Sequence, residues 1–236
     1  MNCLSGYCID GIVYPSVSKV LSSNPKNDIA KKSAALNGAA LSKPEAQRRG
    51  KALHDALRSY LITGETDLSP EFYSYWSQLQ QALQVLDLKP LWADGPVAPD
   101  LMHLQQGEHS CVWSKKLKVQ GCPDFFGTIG GVEVVGELKT GTVPFTKYFE
   151  YGNFKNYWNY FKHRSALLQA SAYAMCIEET VGFKPKAAIV INVTPSDNQI
   201  FVSEHTEFAK GKSEFRKLCR DFFKGDGLAY TCQDKF

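Results

Sequence analysis

GCPDFFGTIGGVEVVGELKTG, running from Gly121 to Gly141, is patterned as a tight β-hairpin. Gly130-Gly131 has the composition favoured in two-residue turns. With those glycines as the turn, Ile129 faces Val132 and every further pair keeps that register, which sets Asp124 opposite Glu137. Opposed residues stand about 5 Å apart at Cβ, so two carboxylates there repel unless something compensates. Strand alternation puts Lys139 on the face of Glu137, and Val132, Val134, Leu138, Phe125 and Ile129 on the other. The expectation is an apolar face that packs and a charged face that carries chemistry.

Two opposed carboxylates suit a hard divalent cation such as Mg²⁺, which takes oxygen ligands and keeps several waters. A lysine beside them can orient a water, help deprotonate it, or offset charge on a phosphate. Those groups fit metal-assisted phosphodiester hydrolysis. Glu-x-Lys alone is common and far more often belongs to a solvated sheet face. The cross-strand Asp124 is what favours the functional reading.

Around the hairpin, 236 residues suffice for one sizeable core, and no apolar run is long enough to cross a bilayer. The N-terminus, MNCLSGYCID, lacks secretory and transit-peptide patterns, so a cytoplasmic setting is expected. Seven cysteines without a C-x-x-C pair read as reduced thiols. A cluster of Cys3 and Cys8 with Cys219 and Cys232 would need the chain ends to meet, and its spacings fit no iron–sulfur pattern. A formal charge of +3 leaves any anionic partner to local patches rather than a global field.

The first third of the chain reads as helical. Ser16 or Ser18 caps a short helix through Leu21; further helices are expected over Asp28 to Asn37, from Lys43-Pro44-Glu45 to about Ile62, and after Ser69-Pro70-Glu71. Leu91 to Val97, His109 to Trp113, Leu117 to Ile129 and Val132 to Lys139 read as strands of a central sheet. Tyr151 to Thr180 reads as helix, Lys186 to Val193 and Gln199 to Glu204 as strands, and Phe208 to Phe223 as an amphipathic last helix. The expected fold class is α/β, a mixed central β-sheet flanked by helices, in one domain over 1–236: a mainly helical portion at 1–89 and an α/β core at 90–236.

Three features outside the hairpin bear on chemistry. His54, in Gly50-Lys51-Ala52-Leu53-His54, can supply a nitrogen ligand to the same metal, although a helical histidine is more often a packing or surface residue. Gln169 and Tyr173 share a helix face at i, i+4 and can grip a nucleotide or orient the lysine. KYFEYGNFKNYWNYFKHR, Lys147 to Arg164, interleaves cations with aromatic rings, as single-strand channels do. Within it Phe154, Tyr157, Trp158 and Phe161 follow helical periodicity and read as packing, which leaves Tyr148, Tyr151 and Tyr160 as stacking candidates beside Lys147. A second basic set, including Arg49 and Lys51, opens the His54 helix and fits either a solvated face or the approach to the same pocket.

Taken in order, Gly50 to His54, Asp124, Glu137-x-Lys139 and Gln169-x-x-x-Tyr173 resemble the motif series of the RecB-like branch of the PD-(D/E)XK nuclease superfamily. Tyr14-Pro15-Ser16-Val17-Ser18-Lys19-Val20-Leu21 is similar to the Pro-Ser-Val-Thr segment of the mitochondrial genome maintenance exonuclease group and its phage and bacterial relatives. The resemblance spans about residues 12 to 223 and implies a restriction-endonuclease-like core. It implies Asp124, Glu137, the Leu138 carbonyl and His54 around Mg²⁺ or Mn²⁺, and Lys139 positioning the attacking water. It places Gln169 and Tyr173 near the DNA. The implied activity is a DNA exonuclease on single-stranded or end-frayed DNA with a free end, in a bacterial or phage-infected cell, with no membrane or obligate protein partner. A structure-specific endonuclease of the same fold and a non-catalytic single-strand-binding protein are the alternatives.

Overall fold

The computed structural model of the chain describes residues 8–9, 12–29, 43–106, 109–149, 156–224 and 230–231. The hairpin forms as its sequence dictates. Strands β8 (Phe125–Ile129) and β9 (Val132–Thr140) pair antiparallel, from Ile129 with Val132 to Phe125 with Gly136. Gly130 and Gly131 take φ of +56° and +81°, the two left-handed residues that a type I′ turn requires. Gly136 has its own reason: the Phe125 ring lies over it from the partner strand, where any added Cβ would overlap the ring.

The hairpin sits inside a five-stranded sheet of order β11-β10-β9-β8-β3, with β3 at Leu88–Ala93, β10 at Ala187–Val193 and β11 at Asn198–Val202. β9 and β10 run parallel; the other neighbours are antiparallel. β10, AAIVINV, is apolar almost throughout because a parallel strand covered on both faces has no solvent side. The architecture is α/β with a mixed central sheet between helical layers, the expected class.

Helices α1 (Val17–Ser22), α2 (Lys43–Thr63), α3 (Tyr73–Leu86), α4 (Tyr157–Thr180) and α5 (His205–Lys224) supply those layers. Ser16 caps α1, its Oγ accepting the Lys19 N–H at 3.1 Å. On one face Phe125, Val134, Leu138 and Ile191 pack against Leu53 and Leu57 of α2 and Trp76 and Leu79 of α3. On the other, Phe126, Val135 and Val190 meet α4, which is buried from Ala166 to Ile177 at every position but Gln169 because α5 covers its back. Each fully buried large apolar side chain contributes about 1.5–3 kcal/mol, so both faces anchor the hairpin.

The double layer corrects the expectation of one apolar and one charged face. Val135 and Phe126, on the face of Glu137 and Lys139, are fully buried, and the charges occupy only the end of that face. The predicted central sheet is corrected too. His109 to Trp113 falls into β5 (His109–Ser110) and β6 (Val112–Ser114), and Leu117 to Ile129 breaks into β7 (Val119–Gly121) and β8. Among the described residues β6 pairs with β7 alone, and β5 with β4 (Gln105–Gln106), outside the five strands. Most of the helix expected over 28–37 lies outside the described residues.

The two ends of the described chain do meet, as backbone: β1 (Cys8–Ile9) and β12 (Tyr230–Thr231) flank β2 (Ile12–Val13). Cys219 is a buried free thiol, while Cys3 and Cys232 lie outside the described residues. No helix among the described residues is long and apolar enough to cross a membrane.

Candidate active site

Asp124 stands one residue before β8, where main-chain pairing with β9 has stopped, and its carboxylate carries that ladder one step further. Oδ2 accepts the Leu138 N–H at 2.6 Å. Oδ1 lies 2.8 Å from Nδ1 of His54, which α2 brings over the sheet's end from the opposite layer. Each carboxylate oxygen therefore has one protein donor and one further lone pair. Burial would push the His54 imidazole below its usual range, but the charge and hydrogen bond of Asp124, with Glu137's charge, lift it to about 9.

Glu137 is 1% exposed. Its Oε1 accepts from Lys139 Nζ at 2.5 Å, and its Oε2 is buried with no hydrogen-bond partner. Lys139 Nζ also donates to Gln169 Oε1 at 3.0 Å, and Gln169 Nε2 donates to Tyr173 Oη at 3.1 Å. A chain of polar contacts thus runs from β9 to α4. It closes on Tyr173, whose ring fits because position 121 is glycine: a Cβ there would stand 2.6 Å from the ring.

Burial governs the electrostatics of these groups. Burial, then the charge of Asp124, holds the Glu137 carboxyl above the usual range even with Lys139 and His54 beside it. Burial alone would lower the Lys139 ammonium, yet Glu137 and Asp124 keep it above the ordinary lysine value. Lys139 is therefore a cation and hydrogen-bond donor here. An orphaned, fully buried carboxylate oxygen with a second acid in its field is a donor set a divalent cation fits. Among the described residues no three His, Cys, Asp or Glu side chains gather to hold a metal unaided. Mg²⁺ needs no such cage, since it binds through one or two carboxylates and keeps water.

Asp94, which the sequence reading missed, borders this site. Its N–H donates to the Asp124 carbonyl at 2.9 Å, and its Oδ1 accepts the Cys122 thiol at 2.8 Å. Burial raises the Asp94 carboxyl and Asp124 adds to it, against the Cys122 hydrogen bond, while burial pushes the Cys122 thiol far up, which leaves it inert. The available signal was Asp94-Gly95, a turn pair closing the apolar run of β3.

The expected nucleic-acid residues part ways. Arg49 is 6% exposed, and it ties α2 to Thr140 (Nε to Oγ1, 3.3 Å) and to the Tyr75 hydroxyl (3.2 Å). Lys51 is exposed and pairs with Asp55 at 2.9 Å. Tyr151 lies outside the described residues. Tyr148 is 75% exposed, and it lines one cleft together with Lys147 and Tyr160. Tyr157 and Phe161, read as packing, are only half-buried and line that cleft as well.

Neither a protein-family model nor a curated protein matches the chain. A solved structure from Eubacterium rectale, titled a "Putative exonuclease", is similar to it with a TM-score of 0.50 and 14% identity, over 93% of this chain and 85% of that one. The likeness is one of fold. It spans nearly the whole chain, so the helical layers as well as the central sheet belong to the shared architecture.

Proposed function

We propose that this protein is a Mg²⁺- or Mn²⁺-dependent DNA exonuclease of the RecB-like PD-(D/E)XK type, acting on single-stranded or end-frayed DNA. The observation that carries the reading is the buried, unpartnered Oε2 of Glu137, set within the field of Asp124 and beside Lys139. The fold likeness to a protein described as an exonuclease supports it.

Asp124, Glu137 and the Leu138 carbonyl would hold the cation, and His54 would complete the set through its remaining ring nitrogen once the cation displaced the proton there. A ligand histidine usually donates its other N–H to a carboxylate, and the His54–Asp124 contact has that form. The bound cation would polarise the scissile phosphate and lower the pKa of a water. Lys139 has three N–H donors. Glu137 and Gln169 take two, so the third can orient the attacking water or meet charge growing on a phosphate oxygen. Gln169 and Tyr173 hold that ammonium in place.

End-labelled linear and circular single-stranded oligonucleotides, with and without Mg²⁺ or Mn²⁺, test the reading. Metal-dependent loss of the linear substrate, resistance of the circle, and abolition by Asp124→Ala, Glu137→Ala or Lys139→Ala are expected. Cutting of the circle would make it an endonuclease. Undiminished cleavage by all three variants would sink the assignment.

A further inference from the structure

The acidic centre lies at the carboxyl end of β9. The loop after β9 passes through Lys147 and Tyr148, and α4 then returns from that same end of the sheet. A cleft of about 670 Å³ opens there between this loop, the first turns of α4 and the outer face of α5. Tyr160 lies about 13 Å along α4 from Gln169 at 1.5 Å per residue, so the cleft adjoins the centre without sharing its residues.

Its charge is distinctive. Lys26, Lys147, Arg164, Lys210, Lys217 and Arg220 line it against Glu207 and Glu214, an excess of four cations where the whole chain carries +3. The rest of the molecule is therefore close to neutral. Glu214 is shared by Lys26 at 3.3 Å and Arg164 at 3.5 Å, and Glu207 stands 3.8 Å from Lys147. Among the described residues Lys210, Lys217 and Arg220 have no acid partner. They recur on one face of α5, opposite the buried Phe208, Gly211, Phe215 and Cys219.

Aromatic rings complete the lining. Tyr157 packs at ring-centroid distances of 6.3 Å from Tyr160 and 6.2 Å from Phe161, a half-buried group of rings beside exposed Tyr148. Gln199 holds the loop that carries Tyr148, accepting the Phe145 N–H at 2.7 Å and donating to its carbonyl at 3.2 Å. Half-open rings interleaved with unpaired cations suit unstacked bases on a phosphate backbone.

We propose that this α4–α5 cleft binds the single strand a few nucleotides from the cut, with Lys210, Lys217 and Arg220 on phosphates and Tyr148 and Tyr160 against bases. The proposal rests on the nuclease reading for its biological sense, but its test does not. Fluorescence anisotropy of a labelled oligo(dT), with EDTA present so that no cleavage occurs, reads binding by the full chain. Lys217→Glu/Arg220→Glu should weaken binding at least about tenfold and lower the slope of log affinity against log salt by about two. Tyr160→Ala should weaken it about fivefold or more with the slope unchanged. Lys89→Glu/Lys116→Glu, an equal charge change on exposed lysines elsewhere, should bind as the wild type does. Wild-type affinity in the α5 variant, equal losses in both charge variants, or no oligonucleotide binding by the wild type would each overturn the cleft. Loss of binding in the α5 variant together with a wild type inert toward DNA in Mg²⁺ and Mn²⁺ would leave the cleft standing and remove the nuclease.

Discussion

Asp124 and Leu138 are joined by a hydrogen bond, side-chain Oδ2 to main-chain N–H at 2.6 Å, one step beyond the last main-chain pair between β8 and β9. The acid is thereby fixed by the same strand that carries Glu137 and Lys139, and the distance between the acids depends on the hairpin's register. Moving either strand by one residue turns every side chain to the other face.

Glu137→Gln removes a charge that burial disfavours. Burial and Asp124 outweigh Lys139 and His54 there, so the metal-free variant should match the wild type or exceed it by up to about 1 kcal/mol, a Tm gain of about 3 °C. Mg²⁺ should raise the Tm of the wild type and leave the variant unmoved, and cleavage should fall by about a hundredfold or more. A Tm drop of several degrees would show that pairing with Lys139 dominates instead.

Gly136→Ala should be among the most damaging small substitutions in the chain. The new methyl would overlap the Phe125 ring, which is fully buried between α2, α3 and the sheet. A loss of about 1–3 kcal/mol in urea denaturation is expected, with cleavage impaired because Phe125 adjoins Asp124. Unchanged stability would mean that the ring has somewhere else to go.

Arg49→Met distinguishes a scaffold role from a DNA-binding one. With its guanidinium on Thr140 and Tyr75, the variant should lose about 1–3 kcal/mol in denaturant. Its oligonucleotide affinity, measured where the protein is folded, should stay within twofold and keep the wild-type salt slope. A flatter slope at full stability would return Arg49 to the nucleic acid.

His163 should make the fold acid-sensitive. It is 3% exposed against Phe201, its Nδ1 is unpartnered, and burial, with Arg164 adding, lowers its pKa from 6.5 to about 4. The unfolded chain therefore binds this proton first, and stability is lost as pH falls from about 6.5 toward 4. The advantage of the wild type over His163→Leu should shrink over that window by on the order of 2 kcal/mol. A difference constant with pH would contradict the assignment.

The hairpin was legible because its information is local: two glycines for a turn with both φ positive, and alternation that fixes the rest. What sequence could not supply was the choice of neighbour. Arg48 and Arg49 are adjacent and alike in type, yet Arg48 reaches exposed Glu71 while Arg49 turns inward to Thr140. The aromatic stripe of α4 has core periodicity, yet Tyr157 and Phe161 border a cleft. In the sequence Lys210, Lys217 and Arg220 belong only to an amphipathic last helix, and the fold alone brings α5 alongside the Lys147 loop. Asp94 went unnoticed because its partner Asp124 is 30 positions away, joined through a main-chain bond that leaves no mark in composition.

The parts of the site differ in how far the chain must travel to assemble them. Asp124, Glu137 and Lys139 lie within one hairpin, a unit that closes in microseconds, whereas His54 and Gln169 arrive only through long loops. The two acids therefore approach each other early, before the histidine is there to neutralise either. Lys139 travels on the same strand, two residues from Glu137, so this nascent pair of charges brings its own counterion.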